Sequence, residues 1–332
     1  MPTESPESTA VREQVRVAVW GLGPHACKNV LPAIAACDST RLIGVTTLIA
    51  ETARLEAAKY NCKVWDTSDE MLASPEVDAV YLATPIGLHL AHGREVLTAN
   101  KHLWCEKALT SGAAAANELA TLSRSRKRSL CEAFMFLYHP QFSRIKDFVL
   151  RERSIGKVVS ISCRFGLPPL ENPGFRYSRE QGGSARLDVA CYNLSLTMHL
   201  LEEEPRVLCK RIQSAPGFEV DTSGFAVLEF PSGPIAHLEW GYERAYANEV
   251  LVWGERGSIR ANRVFSKPAD LAASIDFFDL HGAMHTELVQ PANSFVNMLE
   301  VFAKSTTDPA LQERLRHEAQ RQAFHLDALG SP

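Results

Sequence analysis

The sequence predicts an α/β fold in two domains: an N-terminal domain built on a parallel sheet, and a C-terminal α+β domain with an open, mostly antiparallel sheet. The chain has 332 residues, which is more than one ordinary domain holds. Short apolar runs alternate with helical patterns through residues 15–133, as is typical of a parallel sheet with crossover helices. From residue 134 onward, strand patterns form one block with helices at its ends, which is typical of an α+β domain.

The first domain, residues 15–133, alternates apolar strands with helices. We predict its strands at residues 15–20, 41–47, 77–83, 102–105 and 129–133. We predict its helices from a glycine-rich turn after the first strand to residue 36, and then at 52–60, 88–99 and 112–125.

The second domain, residues 134–332, is predicted to open with a helix near 140–152 and an alternating strand at 157–165. A loop rich in Pro and Gly follows at 167–183. The remaining predicted elements are a helix at 186–201, several strands between 206 and 265, and helices at 292–304 and 309–329. At the other end of the chain, residues 1–14 are predicted to form a disordered tail.

The composition excludes several classes of protein. The formal net charge is only −4 and the basic residues are dispersed, which argues against a nucleic-acid partner. No stretch approaches the roughly 20 apolar residues of a membrane span, and residues 1–14 lack the apolar core of a signal peptide. The eight cysteines form no C-x-x-C pair, and His281 and His285 have no neighbouring ligands, so we predict no disulfide framework and no metal site. We therefore expect a cytoplasmic protein without a membrane partner.

The first candidate site is the glycine-rich turn after the first strand, which has the pattern G-x-G-x-x-A. Its first glycine permits a tight bend, its second lets the backbone approach a pyrophosphate, and its small last residue lets helix and strand pack closely. The N-terminus of the helix adds free N–H groups and a positive dipole. The turn predicts a Rossmann domain that binds NAD(P) through Gly21, Leu22, Gly23, Pro24, His25 and Ala26. An ordinary βα turn is the alternative.

The end of the second strand bears on the choice between NAD and NADP. Rossmann domains usually place an acid there for the ribose 2′-hydroxyl, or a base for a 2′-phosphate. Thr47 and Leu48 occupy this position, and Arg54 lies one helical turn onward. We predict that Thr47 and Leu48 contact the cofactor, and we favour NADPH because no acid excludes the 2′-phosphate.

Glu106 and Lys107, at the carboxyl end of a predicted strand, form the second candidate site. Open α/β sheets bind ligands at this edge. Reduction of a carbonyl by hydride generates an alkoxide, which a nearby lysine can stabilise and protonate, particularly if burial lowers its pKa. On this reading Lys107 is catalytic, and Glu106 either anchors the cofactor ribose or holds Lys107 in place. A solvated surface lysine is the alternative.

The third candidate site opens the helix at 186–201. Gly182 and Gly183 precede this helix, and Asp188 and Tyr192 lie four residues apart and therefore on one face. A phenol beside a carboxylate forms an acid with its orienting partner. An aspartate satisfied within the first turn and a packed tyrosine are the alternative.

Taken together, these stretches resemble the glucose-fructose oxidoreductase, inositol dehydrogenase and rhizopine-catabolism (Gfo/Idh/MocA) superfamily over nearly the whole chain. Members carry an E-K-P motif after a Rossmann strand and a G-G-x-x-x-D-x-x-x-(Y/H) helix in the second domain. Glu106-Lys107-Ala108 and residues 182–192 correspond to these motifs. The resemblance implies that Lys107 or Tyr192 supplies a proton and that Asp188 orients it. It also implies cofactor contacts in the loop that holds Thr84, Pro85 and His89.

Within the superfamily, the chain is most similar to the sugar 3-ketoreductases of nucleotide-linked deoxysugar pathways. The matching stretches are residues 134–141, 167–169, 176–177, 245–248 and 262–265. The resemblance implies reduction of a keto group on a dTDP-bound sugar with NADPH. It also gives four candidates for contact with the substrate: Arg176, His139, Tyr246 and Asn248. For Arg176 a structural ion pair is the alternative, and for His139 a buried hydrogen bond is the alternative.

Some positions depart from the family pattern, and two further functions stay open. Pro24, Leu48, Ala108 and Ser184 replace the usual residues, which bears on cofactor preference rather than on the proton donor. The first alternative function is a dehydrogenase of a free sugar, cyclitol or dihydrodiol. The second is a non-catalytic, cofactor-sensing regulator. The exposed face of an open sheet also leads us to expect a homodimer or homotetramer.

Overall fold

A computed structural model describes residues 14–330 of the chain. The predicted tail therefore lies outside the described residues, except for Gln14, whose side-chain amide donates a hydrogen bond to the carbonyl of Asp38.

Sheet A, in the N-terminal half of the described chain, has six parallel strands in the order β3-β2-β1-β4-β5-β6. This is the strand order of a Rossmann fold, and it confirms the predicted fold class of the first domain. The strands are β1 (Val15–Trp20), β2 (Thr40–Thr46), β3 (Lys63–Val64), β4 (Ala79–Leu82), β5 (His102–Cys105) and β6 (Leu130–Glu132).

Helices connect these strands on both faces of sheet A. The first begins as the wide turn Ala26–Val30 and continues as α1; the others follow in chain order. They are α1 (Leu31–Ala36), α2 (Ala50–Tyr60), α3 (Ser68–Ala73), α4 (His89–Thr98) and α5 (Ala113–Arg126). The sequence did not predict β3 or α3, because β3 is only two exposed residues long and α3 has little more than one turn.

Sheet B, in the second half, has eight strands in the order β14-β13-β12-β11-β7-β10-β9-β8. Only the β10–β7 pair is parallel, so the predicted open, mostly antiparallel sheet is confirmed. The strands are β7 (Val158–Gly166), β8 (Arg206–Gln213), β9 (Ser223–Glu229), β10 (Ile235–Gly241), β11 (Ala247–Gly254), β12 (Gly257–Asn262), β13 (Ala273–Asp279) and β14 (Met284–Val289). The last two lie beyond the strands that the sequence predicted.

Four helices accompany sheet B. They are α6 (Pro140–Lys146), which extends through the wide turn Asp147–Arg151; α7 (Cys191–Leu201), preceded by the turn Arg186–Ala190; α8 (Ser294–Ser305); and α9 (Pro309–Gly330). α7 is a core helix, since ten of its eleven residues are buried.

The carboxyl ends of the strands of sheet A are held in register beyond the strands themselves. The amide of Gly21 donates to the carbonyl of Thr46, and the amide of Glu106 donates to the carbonyl of Leu82, both at 2.9 Å. The loops that carry the glycine turn and Lys107 therefore leave one edge of the sheet from fixed starting points.

The C-terminal helix α9 ties the two halves of the molecule together. On the Rossmann side, the Arg316 guanidinium donates to the hydroxyl of Ser123 in α5 at 2.9 Å. On the other side, the Gln322 amide donates to the carbonyl of Cys191 in α7 at 2.9 Å. The residue boundaries of the two domains remain a prediction. α9 contacts both halves of the molecule.

We expect α9 to be essential for the stability of the fold. Leu326 is 2% exposed and Phe324, on the opposite face of the same helix, is 60% exposed. Leu326→Ala should lower the free energy of unfolding by about 2–5 kcal/mol, because it leaves a cavity in the core. The matched variant Phe324→Ala should change it by about 0.5 kcal/mol or less. Urea unfolding measures both, and equal effects would show that α9 does not dock as described.

Candidate active site

Asp188 is the centre of a buried cluster of charged side chains. Its Oδ1 accepts a hydrogen bond from the Lys107 ammonium at 2.6 Å, and its Oδ2 accepts from the Arg176 Nε at 2.8 Å and from the Tyr242 hydroxyl at 3.0 Å. The Lys107 ammonium also donates to the backbone carbonyl of Asp188 at 2.7 Å. The structure therefore brings together Lys107, Asp188 and Arg176, which the sequence placed far apart.

Local structure fixes both ends of the Lys107–Asp188 pair. Lys107 is the second residue after the end of β5, and its peptide bond with Ala108 is cis. Asp188 lies in the turn Arg186–Ala190, whose start is held by Asp221: the Asp221 carboxylate accepts from the Ser184 hydroxyl and from the Arg186 amide.

The pair has opposite effects on the pKa values of its members. Burial is the largest single effect and favours the neutral form of Lys107. The charge and hydrogen bond of Asp188, together with the nearby Tyr192 and Cys191, outweigh burial and raise the pKa of Lys107 well above its usual range. Burial likewise favours neutral Asp188, but Lys107 and Arg176 hold its pKa well below its usual range. The condition that would make Lys107 the better proton donor, a pKa lowered by burial, is therefore not met, and Lys107 is an ammonium at neutral pH.

Tyr192 lies beside Lys107 in an aromatic enclosure. The Lys107 ammonium stands 4.6 Å from the centroid of the Tyr192 ring. Within residues 14–330, the one hydrogen-bond partner of the Tyr192 hydroxyl is a weak acceptor, the Met135 sulfur at 3.8 Å. The Tyr192 hydroxyl makes no hydrogen bond with Asp188 among the described residues. Asp188 bonds Lys107 instead, so Lys107 is the residue that Asp188 can orient. The aromatic rings around Tyr192 belong to Phe134, Phe136, Phe165 and Phe265.

The glycine turn has the shape of a phosphate cradle. Gly21 has a φ of +98°, and a Cβ there would lie 2.7 Å from the Ala83 carbonyl oxygen. A Cβ on Gly23 would meet no atom within 4 Å, so a ligand can approach the backbone at this residue. The side chains of Leu22 and Ala26 are buried and pack the turn against the sheet. These features fit a dinucleotide pyrophosphate.

Glu106 links the glycine turn to the sheet. Its Oε1 lies 3.1 Å from the His25 Nε2 and accepts a hydrogen bond from the Tyr81 hydroxyl at 2.7 Å. Burial disfavours the charge of Glu106, but His25 and Tyr81 outweigh burial and hold its pKa below the usual value. Glu106 thus contacts neither the Lys107 ammonium nor Asp188, although it is next to Lys107 in the chain.

The other predicted cofactor residues surround the same edge of sheet A. His89 is completely buried, and its ring nitrogens lie 2.8 Å from the Thr84 carbonyl and 2.9 Å from the Ala108 carbonyl. It therefore joins the loop after β4 to the loop that holds Lys107, and neither of its ring nitrogens is left for a ligand. Pro85 follows Thr84 in the same loop, and Thr47 and Leu48 follow β2, with the Leu48 side chain fully exposed.

The remaining substrate-side candidates lie at one end of sheet B. The Asn248 amide is buried and fully used by the protein, since it bonds Tyr246, Phe265 and Ser266. Tyr246 is half-exposed. His139 is buried and caps α6 by accepting a hydrogen bond from the Gln141 amide at 3.0 Å, and burial lowers its pKa to about 4.

Two residues of this site were missed by sequence reasoning. Tyr242, which holds Asp188, follows the end of β10 and gives no local signal of its role. Tyr81, which holds Glu106, is the polar exception in an otherwise apolar strand, and this exception was a usable signal.

Residues 14–330 contain neither a membrane-spanning helix nor a group of metal ligands. No helix there is both long enough and apolar enough to cross a bilayer. Nor does that part of the chain hold three or more His, Cys, Asp or Glu side chains grouped as metal ligands.

The chain is similar to known proteins over both halves. Residues 15–134 match the model of an oxidoreductase family with an NAD-binding Rossmann fold, and residues 144–260 match the Gfo/Idh/MocA C-terminal domain. A dTDP-3,4-didehydro-2,6-dideoxy-α-D-glucose 3-reductase from Saccharopolyspora spinosa is 31% identical over 327 residues, which are 96% of this chain and 98% of that protein. The chain belongs to the Gfo/Idh/MocA family. It is an NAD(P)-dependent oxidoreductase, as the sequence predicted.

Two further relatives have known activities or structures. A 3-ketoreductase from Actinomadura kijaniata, solved with NADP and TDP-benzene, has a TM-score of 0.91 and 27% identity, covering 96% of this chain and 97% of that one. A D-xylose 1-dehydrogenase (NADP⁺) from Haloferax volcanii is 27% identical over 291 residues, 86% of this chain and 87% of that protein.

The two glycines of the turn give a matched test of the cofactor cradle. Gly21→Ala should lower the free energy of unfolding by at least about 1–2 kcal/mol, because an alanine is strained at positive φ and its Cβ meets the Ala83 carbonyl. Gly23→Ala should leave the melting temperature unchanged but weaken NADPH binding about tenfold or more, because its methyl group occupies the approach of the pyrophosphate. Thermal melting and fluorescence titration separate the two. Unchanged NADPH binding by Gly23→Ala would place the pyrophosphate elsewhere.

Proposed function

We propose that this oxidoreductase uses NADPH to reduce a keto group in the sugar of a dTDP-linked deoxysugar. The observation that carries the proposal is the Lys107 ammonium, held by Asp188 beside the Tyr192 ring at the carboxyl edge of sheet A. The reductases to which the chain is similar act on such sugars by name, and one was solved with NADP and a TDP compound.

The proposed cofactor site is the edge formed by the glycine turn and the loops after β4 and β5. When bound there, NADPH supplies a hydride from its nicotinamide. Gly23 would face the pyrophosphate, and His25 with Glu106 would border the nicotinamide side. The preference for NADPH is supported by the absence of an acid at Thr47 and Leu48 and by the exposed Arg54 in the first turns of α2.

Lys107 would stabilise the negative charge that develops on the carbonyl oxygen of the sugar. An ammonium has three N–H groups, and Asp188 takes two of them, one through its carboxylate and one through its backbone carbonyl. The third remains for the substrate. Because Asp188 raises the pKa of Lys107, this charge is present throughout the neutral range, and a fixed cation in a site screened from water lowers the barrier effectively.

Tyr192 would donate the proton to the resulting alkoxide. Among the described residues its hydroxyl has only the weak Met135 sulfur as a hydrogen-bond partner, so it is available to donate to a ligand. Burial raises the pKa of Tyr192, while the Lys107 cation partly offsets that rise by stabilising the phenolate. Lys107, in contrast, is bound to Asp188 and holds its proton tightly. The geometry thus favours Tyr192 as the acid and Lys107 as its electrostatic partner.

Oxidation of a free sugar is the second candidate function, because a D-xylose 1-dehydrogenase is also similar over most of the chain. The same three side chains would serve it in the reverse direction, with Tyr192 as the base. Turnover of a dTDP-linked 3-ketosugar with NADPH, compared with turnover of free aldoses with NADP⁺, separates the two candidates. Faster turnover of the free aldoses would favour the second.

Two substitutions test the roles of Tyr192 and Lys107. Tyr192→Phe should lower kcat about 10²- to 10⁴-fold through loss of the general acid. Lys107→Met should lower kcat about 10²- to 10³-fold through loss of the fixed cation. Steady-state kinetics measure both, and NADPH titration should give wild-type affinity for Tyr192→Phe. Full turnover by either variant would refute the role given to that residue.

Asp188→Asn tests whether Asp188 sets the charge of Lys107. In the wild type the pair stays charged between about pH 4 and pH 10, because its two pKa values are moved outward from their usual values. Without the carboxylate, burial and the Arg176 charge lower the pKa of Lys107, so the ammonium is lost as the pH rises through this lower value. The alkaline limb of the kcat/KM profile should therefore move to lower pH. A profile like that of the wild type would show that Lys107 does not depend on Asp188.

A further inference from the structure

Glu132, the last residue of β6, is an acidic side chain close to Lys107 with no role in the reaction proposed above. Its Oε1 accepts a hydrogen bond from the Leu109 amide at 2.8 Å, and Leu109 is two residues beyond Lys107. Glu132 pairs with Cys105 of β5, so its side chain leaves sheet A next to the strand that leads to Lys107. A side chain of the neighbouring strand therefore holds the loop that carries Lys107.

The bond from Glu132 is one of two side-chain contacts that fix the backbone just after Lys107. The Ala108 carbonyl lies 2.9 Å from a ring nitrogen of His89. The next residue, Leu109, is 1% exposed, and the Glu132 carboxyl group is the acceptor for its amide. A buried amide without an acceptor is costly, so without Glu132 the loop would move until this amide found another partner. Lys107 belongs to the same loop and would move with it.

Glu132 also belongs to the group of charged side chains around Lys107. Burial raises the pKa of the Glu132 carboxyl group to about 8, and the Leu109 amide and the Lys107 ammonium offset only part of that rise. The negative charge of Glu106 acts in the same direction as burial. At pH 7 the carboxyl group is therefore mostly protonated, whereas above about pH 8 it adds a negative charge close to the Lys107 ammonium.

The other titratable groups around Glu132 and the reacting site keep one charge state near pH 8. Burial raises the pKa values of the Cys105 and Cys191 thiols, which lie close to Glu132 on β5 and α7, so both thiols stay neutral. Burial also raises the pKa of Tyr192, which stays neutral, and the pKa of Asp188 is held well below its usual range. Of these five groups, Glu132 is the one whose charge changes around pH 8.

We propose that Glu132 is a positioning residue for the reaction: it holds the Leu109 amide, fixes the loop that carries Lys107, and opposes the electrostatic role of Lys107 when it ionises. This inference rests on the proposed function and deepens it, since it adds a residue that acts through Lys107. A negative charge on Glu132 repels the alkoxide that forms during reduction and during oxidation alike. The effect therefore does not depend on which sugar is turned over.

Two substitutions separate the hydrogen bond of Glu132 from its charge. Glu132→Ala removes the acceptor and should lower kcat about 10- to 100-fold, as for reacting groups displaced by about 1 Å, while NADPH affinity is unchanged. Glu132→Gln keeps an oxygen that can accept from Leu109 but cannot ionise, so its kcat at pH 7 should stay within about threefold of the wild type. In the wild type, kcat/KM should fall as the pH rises through about 8, and in Glu132→Gln this fall should begin about one pH unit higher.

Glu203→Gln is the matched control for both substitutions. The Glu203 carboxylate also accepts a hydrogen bond from a backbone amide, that of Ser232 at 3.0 Å. It lies beyond the C-terminal end of α7, whereas Tyr192 lies at the beginning of this helix. Glu203→Gln should therefore have the kcat and the pH profile of the wild type.

Thermal melting gives a second readout, which does not depend on turnover. A carboxyl group that keeps its proton up to about pH 8 in the folded protein, but loses it at about pH 4.3 in the unfolded chain, destabilises the fold as the pH rises between these values. Glu132→Gln cannot ionise, so it should not lower the melting temperature at pH 8. If Glu132→Ala does not fold, Glu132→Gln decides alone. A lower melting temperature of Glu132→Gln with the pH profile of the wild type would assign Glu132 a structural role and overturn the inference.

The two proposals fail in different ways. If the wild type turns over free aldoses and no dTDP-linked 3-ketosugar, the proposed substrate is wrong, and the same Glu132 variants test this inference on the aldose. If the wild type reduces the dTDP-linked 3-ketosugar while Glu132→Ala keeps full kcat and Glu132→Gln keeps the wild-type pH profile, the proposed function stands and only this inference is wrong. A wild type that turns over neither substrate refutes both.

Discussion

The site depends on the ion pair between Lys107 and Asp188, which joins the two domains at the point where chemistry is proposed. The Lys107 side chain is 11% exposed and that of Asp188 is 5% exposed. A charge so far from water is stable only when it is paired, and removal of one partner of such a pair typically destabilises a protein by about 3–5 kcal/mol. Each residue therefore fixes the loop that carries the other. Arg176 and Tyr242 then satisfy the second oxygen of Asp188, so the carboxylate has no freedom to turn away.

Adjacent residues of one loop serve the two ligand sites through separate partners. Lys107 reaches Asp188 in the second domain, while Glu106 reaches His25 in the glycine turn and Tyr81 in β4. A single dipeptide at the end of β5 is thus attached both to the proposed cofactor cradle and to the substrate side. Any shift of this loop would disturb both attachments, so the loop couples the proposed cofactor cradle to the proposed substrate side.

The sequence could predict those parts of the molecule whose signals are local. A few consecutive residues are enough to predict the glycine turn, the strand before Lys107 and the helix that carries Asp188 and Tyr192. The family resemblance then implies their roles. Tyr242 could not be predicted in this way, because its role depends on a contact 54 residues away in the chain. The raised pKa of Lys107 could not be predicted for the same reason: burial is readable from an apolar strand, but the opposing charge of Asp188 lies 81 residues away in the chain. Strands β13 and β14 were not predicted, because buried and exposed residues alternate only weakly in them. They lie at the edge of sheet B, where little of β14 is buried.

Lys107 and Lys267 show how environment decides the charge of one residue type. Lys107 is paired with an acid, so its charge is permanent and its position is rigid, which suits a group that must stabilise a developing charge without reorganisation. Lys267 has burial but no acid among the described residues, so burial lowers its pKa to about 8. The same residue type is therefore a permanent cation at one position and a titratable group at the other.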